Sequence, residues 1–367
     1  MNTSRALKML LVLLCAQLGA PLPALSQSPV SLSAVPPVEG DYILRNFTFA
    51  DGQSLPEVKL HYITMGTPRR DANGRVNNAV LILGGTNRRN SVFLVPPFAG
   101  ALFNAGQLLD TSQYYVILPD QFGAGQSTKP SDGLRAKFPH YDYADMVRAS
   151  RLLVTEGLQV DHLRLFLGTS MGCMEGFLWA ESYPDDMDAL MLLSCLPVQI
   201  ASRNRMYRKI MIDNIRLDPG WQGGNYEQQP FGLRAALGHL LMVGSSPTLW
   251  QREYPTAELA DQYVEQFIES NMKTTDANDM LYQFDASRNY DPSADLEKIR
   301  AHLVLVNAQE DFLNPGEVGI AEREIQRIEN GRFVMIPLSE QTRGHYTYYL
   351  ADLWKEHLAQ LLDATAP

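Results

Sequence analysis

Uninterrupted apolar runs recur along the chain and predict strands. Ala79–Leu83 ends in two glycines, and Tyr114–Leu118 ends in a Pro-Asp pair. Runs of this length are typical of strands whose two faces are both buried in a parallel sheet. Two earlier segments predict strands with a Gly-containing turn between them: Tyr42–Phe49 and Val58–Thr64. Four later segments also predict strands: Leu163–Leu167, Ala189–Ser194, His302–Val306 and Arg332–Ile336.

Helical patterns fall between these strands. From Asp142 to Glu156, the side chains at positions 143, 147, 150 and 154 share one stripe, and Gly157 is expected at the C′ position. Met171 to about residue 183 and residues 316–328 predict further helices. Alternating strands and helices indicate an α/β protein with a doubly wound, mostly parallel sheet.

The pattern changes in residues 197–298, which hold helical segments, a Gly/Pro/aromatic section at 218–226 and no convincing buried strand. Such an insertion in a β/α series predicts a helical cap over the active face. The core would then comprise residues 42–196 and 299–367. Residues 27–41 are rich in serine and proline and predict a linker.

The first 26 residues predict a cleaved export signal. Arg5 and Lys8 precede an apolar stretch over residues 9–16, and small residues follow near Ser26. The stretch is shorter than the about 20 residues that span a bilayer, so no stable membrane span is expected. A lipoprotein is disfavoured because the large Leu14 precedes Cys15. The expected location is therefore periplasmic or secreted.

Composition and charge narrow the function classes. The 367 residues are 45% hydrophobic and 20% charged, which excludes wholesale disorder. A net charge of −10 argues against nucleic-acid binding. Three cysteines are too few for a disulfide scaffold or a four-cysteine zinc site. Removal of Cys15 with the signal leaves Cys173 and Cys195, by default two buried thiols, although their pairing stays open.

Residues 168–172, Gly-Thr-Ser-Met-Gly, form a G-x-S-x-G motif between a predicted strand and a predicted helix. This context defines a nucleophile elbow. The tight turn crowds the positions two residues before and after Ser170, so small residues are needed there. The turn also presents the Ser170 hydroxyl to solvent beside the amides of a helix N-terminus.

Two backbone amides are expected to stabilise a developing oxyanion. The Met171 amide, directly after the serine, is one candidate. The loop after Leu83 supplies the other, from Gly85 or Thr86.

A serine nucleophile needs a base and an acid that orients the base. In this type of fold the partners follow the serine in the order Asp/Glu, then His, after later strands. His345 lies beyond the last predicted strand and before the final helix. Glu310 and Asp311 both follow the preceding strand, so either residue is a candidate for the acid.

Together these residues resemble the homoserine O-acetyltransferase family of α/β-hydrolases, over roughly residues 42–363. The serine segment, residues 168–184, carries the likeness, as do cap residues 218–226 and 231–233 and the Gly344-His345 pair. The resemblance implies an α/β-hydrolase fold, a triad of Ser170, Asp311 and His345, and an acyl-enzyme mechanism. Family members often dimerise through cap helices, which implies a possible homodimer.

Two departures from the family bear on the substrate. The family has a cap arginine that holds the amino-acid substrate, and Leu237 stands at that position here. The family also has an aspartate directly after the histidine, where this chain has Tyr346. A zwitterionic ligand is not bound equally well without those charges. Arg234, one turn earlier, is a partial substitute.

The expected function is that of an exported serine hydrolase acting on a small-molecule ester, with water as acceptor. Acyl-CoA, the family's acyl donor, is a cytoplasmic metabolite that an exported enzyme would not meet. The alternatives are an O-acyltransferase using another alcohol and a non-catalytic binding protein. The expected pocket is apolar and uncharged, with Tyr346, Leu237 and Trp221 contacting the substrate.

No metal or cofactor is predicted. Histidines and cysteines are scattered without H-x-x-x-H or C-x-x-C spacing. The Gly84-Gly85 pair also lacks the G-x-G-x-x-G pattern of a phosphate-binding loop.

Overall fold

The structure, a computed structural model, describes residues 32–366. The predicted export signal and the first residues of the predicted linker lie outside the described residues. Eight strands form one sheet: β1 (Val38–Thr48), β2 (Ser54–Met65), β3 (Ala79–Leu83), β4 (Tyr115–Pro119), β5 (Leu163–Thr169), β6 (Met187–Leu193), β7 (His302–Ala308) and β8 (Gly331–Ile336).

The sheet has the order β1-β2-β4-β3-β5-β6-β7-β8. β1 and β2 form an antiparallel hairpin, and β2 pairs antiparallel with β4. The other neighbours pair in parallel, with Leu83 beside Gly168 and Thr169 beside Leu193. The carboxyl ends of β3, β5, β6 and β7 therefore meet at one edge of the sheet, where open α/β sheets bind ligands.

Ten α-helices accompany the sheet in the described chain: α1 (Ala99–Leu102), α2 (Tyr143–Leu152), α3 (Met171–Ser182), α4 (Ser202–Arg216), α5 (Phe231–Val243), α6 (Pro247–Glu253), α7 (Ala257–Met272), α8 (Ala277–Asp285), α9 (Ile320–Ile325) and α10 (Lys355–Ala364). A π-turn, Leu153–Gly157, extends α2. Short 3₁₀ segments occupy the following ranges: Asn90–Phe93, Pro130–Asp132, Arg135–Lys137, Pro219–Gly224, Leu296–Lys298, Gly316–Val318, Tyr346–Tyr349 and Ala351–Leu353.

Each face of the sheet has its own hydrophobic core. In β3, Leu81 and Leu83 belong to one core and Val80 and Ile82 to the other, and all four are fully buried. Successive strand side chains point to opposite faces, so burial on both faces requires an uninterrupted apolar run. The layered α/β architecture predicted from those runs is confirmed.

Three local predictions differ from the structure. The predicted helix over residues 316–328 is divided at the left-handed Gly319 into a 3₁₀ segment and α9. β1 begins at Val38, which pairs with Thr64, so four residues assigned to the linker belong to the sheet. Gly157 is not a left-handed C′ residue. It closes the π-turn after α2, and the Leu158 amide donates to the Leu153 carbonyl. That widened turn satisfies the last carbonyls of the helix in another way.

Residues 197–298 contain α4 to α8 and their connections, without a strand in the described structure. Tyr207 of α4 packs against Phe284 of α8, with ring centroids 6.3 Å apart. This helical segment covers the carboxyl end of the sheet, because its side chains share a cavity with Ser170. None of the helices described here combines the length and hydropathy of a membrane span.

Cys173 of α3 and Cys195, just after β6, form a disulfide. The default expectation of two separate thiols is therefore wrong. β5 and β6 are neighbours, and the parallel register brings the two Cα atoms within 5.9 Å, a separation suited to a disulfide. The bond joins the helix after Ser170 to the strand beside it.

Candidate active site

Ser170 lies in the turn between β5 and α3 with a φ of 53°. This is the left-handed region, which a non-glycine residue seldom adopts. A Cβ at Gly168 would lie 2.2 Å from the Gly172 carbonyl oxygen, and one at Gly172 would lie 2.3 Å from the Leu83 carbonyl oxygen. The two glycines of the motif are therefore sterically required, as the elbow interpretation predicts.

The structure brings Ser170, His345 and Asp311 into one hydrogen-bonded chain. His345 Nε2 lies 2.8 Å from Ser170 Oγ, and His345 Nδ1 lies 2.8 Å from Asp311 Oδ2. The serine is 7% exposed, the histidine 2% and the aspartate 1%. An imidazole held between a serine hydroxyl and a carboxylate is arranged to accept the serine proton.

Asp311 is held as a carboxylate. Its Oδ1 accepts hydrogen bonds from the Leu313 and Asn314 amides at 2.8 and 3.1 Å, and its Oδ2 accepts one from Asn314 Nδ2 at 3.1 Å. Burial alone would raise the pKa of Asp311, but His345 and these hydrogen bonds lower it below its ordinary value. The aspartate therefore stays charged beside the imidazole.

Glu310, the other candidate acid, has a different place. Its carboxylate accepts from Ser246 Oγ at 3.0 Å and from the Gly344 amide at 3.0 Å. Glu310 thus ties the loop that carries His345 to the start of α6 and does not contact the imidazole.

The predicted oxyanion residues surround Ser170. Met171 is the first residue of α3, so its amide has no acceptor within that helix. A Cβ at Gly85 would lie 3.4 Å from Ser170 Cβ, which places the β3 loop directly beside Ser170. The Gly172 amide donates to the Gly84 carbonyl at 2.9 Å and fixes that loop to α3. Thr86 lines the same cavity.

The cavity at Ser170 has a volume of about 30 Å³, little more than the space for one or two water molecules. Of the three predicted substrate contacts, Tyr346 lines it. Leu237 is wholly buried in the helical core, and Leu240 and Val243 of the same helix line the cavity instead. Trp221 donates its Nε1–H to Asn278 Oδ1 at 2.8 Å, away from the lining.

Two arginines line the cavity, which contradicts the expectation of an uncharged pocket. Arg88 comes from the loop after β3, and Arg208 comes from α4. Sequence reasoning missed both. Arg88 lies two residues beyond a predicted oxyanion residue, a signal that could have found it, whereas Arg208 is one of several arginines in α4 and has no distinguishing pattern. Arg234, the suggested substitute, pairs on the surface with Glu265.

Residues 32–366 hold no cluster of three or more His, Cys, Asp or Glu side chains arranged to bind a metal ion.

Comparison with known proteins places this geometry in a family. The model of the alpha/beta hydrolase fold matches residues 83–340, so the chain belongs to that family. Homoserine O-acetyltransferases are among the proteins that the chain is similar to, in sequence and in fold.

Three of these similar proteins illustrate the relationship. A probable acyltransferase of Methanothermobacter thermautotrophicus is 28% identical over 281 residues, covering 75% of this chain and 83% of the relative. A homoserine O-acetyltransferase of Pelobacter propionicus is 28% identical over 341 residues, covering 82% and 88%. The solved acetyl esterase MekB has a TM-score of 0.76 at 22% identity and covers 89% of this chain and 97% of its own, which shows the shared fold.

Proposed function

We propose that the protein is an exported serine hydrolase that cleaves a carboxylic ester through an acyl-enzyme on Ser170. The observation that carries the proposal is the 2.8 Å contact between Ser170 Oγ and His345 Nε2, at a strained elbow and beside Gly85. Strain of this kind persists where the surrounding structure fixes a functional group.

The geometry supports the following acylation step. Ser170 Oγ attacks the ester carbonyl carbon while His345 Nε2 takes the hydroxyl proton. The amides of Met171 and of Gly85 or Thr86 hold the oxyanion. When the tetrahedral intermediate collapses, the bond to the alcohol oxygen breaks and His345 protonates that oxygen.

Deacylation repeats these steps with water. His345 removes a proton from water, the oxygen attacks the acyl carbon, and the acid leaves as Ser170 regains its proton. Asp311 keeps the imidazole in the required orientation and stabilises its protonated form.

Export and hydrolysis support one another in this proposal. Residues 1–26 carry the pattern of an export signal, and a disulfide such as Cys173–Cys195 persists best in an oxidising compartment. An enzyme in such a compartment has water at hand and lacks acyl-CoA.

A second candidate is an O-acyltransferase, which the probable acyltransferase and homoserine O-acetyltransferase relatives favour. The chemistry to the acyl-enzyme would be the same. An alcohol in place of water would then receive the acyl group.

Turnover of p-nitrophenyl acetate by the mature protein and by Ser170→Ala tests the proposal, with and without added homoserine or a simple alcohol. We expect release that requires Ser170 and is indifferent to the acceptor. Undiminished release by a folded Ser170→Ala protein would refute the serine mechanism. Acceleration by the acceptor, with a new ester formed, would establish the transferase. Failure to label Ser170 with a fluorophosphonate, together with no release, would indicate a binding protein.

A further inference from the structure

Arg208 is a buried cation beside the candidate nucleophile. The residue is 1% exposed and lines the cavity that Ser170 and His345 line. Its Nε donates to Asn204 Oδ1 at 2.9 Å, and its guanidinium carbon lies 5.4 Å from the centre of the Phe284 ring. These partners are neutral. Within residues 32–366, no carboxylate forms an ion pair with Arg208. Its Nη1 has no acceptor within hydrogen-bond geometry, and the hydroxyl of Tyr143, also neutral, lies near the guanidinium.

A second cation borders the same cavity. Arg88 is half-buried and lies against the hydroxyls of Tyr346, Tyr348 and Tyr349, with a hydrogen bond to that of Tyr346. In the described part of the chain it too forms no ion pair with a carboxylate. The cavity therefore has two guanidinium groups at its wall and no acidic side chain among its lining residues.

The hydroxyl of Tyr207 completes this group. The residue is 5% exposed, lines the cavity, and has no hydrogen-bond partner for its hydroxyl among the described residues. Burial and the neighbouring Tyr346 raise the pKa of Tyr207, so the hydroxyl keeps its proton and is a donor. Two adjacent residues of α4, each with an unpaired polar atom, thus line one small cavity.

Burial of an unpaired guanidinium is unfavourable, because it loses hydration without gaining a counter-charge. A bound anion reverses that loss. A guanidinium pairs with carboxylates and with tetrahedral anions such as phosphate, and the small cavity favours the smaller, planar carboxylate.

We propose that the substrate of this site is a short ester that carries a carboxylate, which pairs with Arg208 and lies in the field of Arg88. The inference rests on the proposed ester hydrolysis and specifies its substrate class. Because Arg208 and Ser170 line the same cavity, the carboxylate would lie close to the scissile carbonyl.

Two matched substrate pairs test this proposal and locate the carboxylate. O-acetylglycolate and its amide, acetoxyacetamide, place the charge or its neutral isostere on the alcohol side. Monomethyl succinate and methyl succinamate do the same on the acyl side. We expect kcat/KM for at least one acid to exceed that of its amide by about tenfold or more, the effect of one charge-assisted hydrogen bond. Equal or better turnover of both amides would overturn the proposal.

Variants of Arg208 test whether this residue causes the preference for the acid over the amide. Arg208→Met should reduce the acid-to-amide ratio to near one, mainly through KM, and Arg208→Lys should keep part of it. Arg234→Met is the matched control, because Arg234 is a cap arginine outside the cavity and paired with Glu265. The melting temperature of Arg208→Met should not fall, since the change removes an unpaired buried charge. An unchanged ratio in Arg208→Met, or an equal loss in Arg234→Met, would contradict the assignment.

Binding separates this inference from the proposed hydrolysis. Calorimetry with Ser170→Ala should show binding of the preferred acid, and the added Arg208→Met change should abolish it. Anion binding without Ser170-dependent hydrolysis would refute the function and retain the carboxylate site. Hydrolysis of p-nitrophenyl acetate without binding of the acid would retain the proposed hydrolysis and refute the carboxylate site. Equal affinity for inorganic phosphate would refute the carboxylate assignment.

Discussion

The position of Ser170 depends on residues that have no side chain. Gly168 and Gly172 come so close to each other and to Leu83 that a single methyl group would overlap a backbone atom. Neither contact can relax cheaply, because β3, β5 and α3 are each fixed in the core. The position of Ser170 therefore depends on the absence of a side chain at Gly168 and at Gly172.

Gly172→Ala is expected to destabilise the fold by about 1–3 kcal/mol and to abolish ester turnover, because the added Cβ would lie 2.3 Å from the Leu83 carbonyl oxygen. Urea unfolding and p-nitrophenyl acetate release would measure these effects. Gly238→Ala is the control. Its Cβ would meet only Ile268 Cδ1, at 3.7 Å, so helix α5 should gain up to about 1 kcal/mol. Active Gly172→Ala protein would show that the elbow tolerates a wider turn.

Asp311 and Glu310 offer a matched comparison of two adjacent carboxylates. Asp311→Asn should lower kcat by about 10³- to 10⁴-fold, since the amide cannot hold the imidazole in the required tautomer. Glu310→Gln keeps an acceptor for Ser246 and Gly344, so a loss below about tenfold is expected. Steady-state kinetics of the two folded variants decides between them. A larger loss of kcat in Glu310→Gln than in Asp311→Asn would assign the orientation of His345 to Glu310 instead of Asp311.

Glu175, four residues after the elbow helix begins, predicts a pH effect on stability. Burial raises its pKa well above the ordinary 4.5, although Gln121 donates to it. Above about pH 4.5, Glu175 therefore keeps its proton in the folded chain and loses it in the unfolded chain. The free energy of unfolding consequently falls as the pH rises. Glu175→Gln should flatten this fall and be the more stable protein at pH 8 but not at pH 4, by urea unfolding. Parallel pH profiles would contradict this.

Among the elements, strands were predictable and the contacts of the cap were not. The run Ala79–Leu83 coincides with β3, because a strand buried on both faces has no polar position to blur its ends. β1 has alternating exposed and buried positions and was predicted four residues short at its start. The position of Leu237 in the cap core, and of Arg208 at the cavity, follows from helix packing that local sequence does not encode.

The candidate site shows the same division. Ser170 and His345 follow from the chain order of strand ends, which is a property of the sheet. Glu310 and Asp311 follow the same strand, so spacing alone could not choose between them. The hydrogen bond to His345 makes that choice in the structure. Arg88 and Arg208, the two arginines that line the cavity, were not predicted, because no sequence pattern identifies an arginine that lacks an acidic partner.

The Cys173–Cys195 disulfide joins α3, which begins directly after Ser170, to the end of β6. Replacement of Cys173 and Cys195 by alanine should cost about 3 kcal/mol in urea unfolding, as expected for a closed loop with a sequence separation of 22. Dithiothreitol should shift the parent protein toward the same midpoint and leave the double variant unchanged. A dithiothreitol effect on the double variant would show that reduction acts elsewhere.

At the scale of the whole molecule, the cap exposes an apolar stripe. Met206 and Ile210 on α4, Leu217 just beyond it and Phe231 at the start of α5 are exposed, Leu217 by 79% and Phe231 by 76%. Patches of this kind on soluble proteins mark interaction surfaces. We predict that this stripe is the interface of a homodimer.

Light scattering after gel filtration should therefore give the mass of a dimer. The double variant Leu217→Glu with Phe231→Glu should be monomeric, because two charges would be buried at each side of the interface. Val318→Glu is the control, since Val318 is 51% exposed and lies outside the cap. A monomeric parent protein at all accessible concentrations would contradict the cap dimer.

The cysteine pair also has a consequence for biogenesis. Ser170 and His345 are 175 residues apart in sequence, whereas the two cysteines are separated by 22. Short loops close quickly, so under the export that we propose, the bond between α3 and the end of β6 can form before the chain that carries Asp311 and His345 has left the translocation machinery. Once the predicted signal is cleaved with Cys15, two cysteines remain and only one intramolecular pairing exists. Oxidation then requires an oxidant but no isomerase, and it can precede the contact between Ser170 and His345.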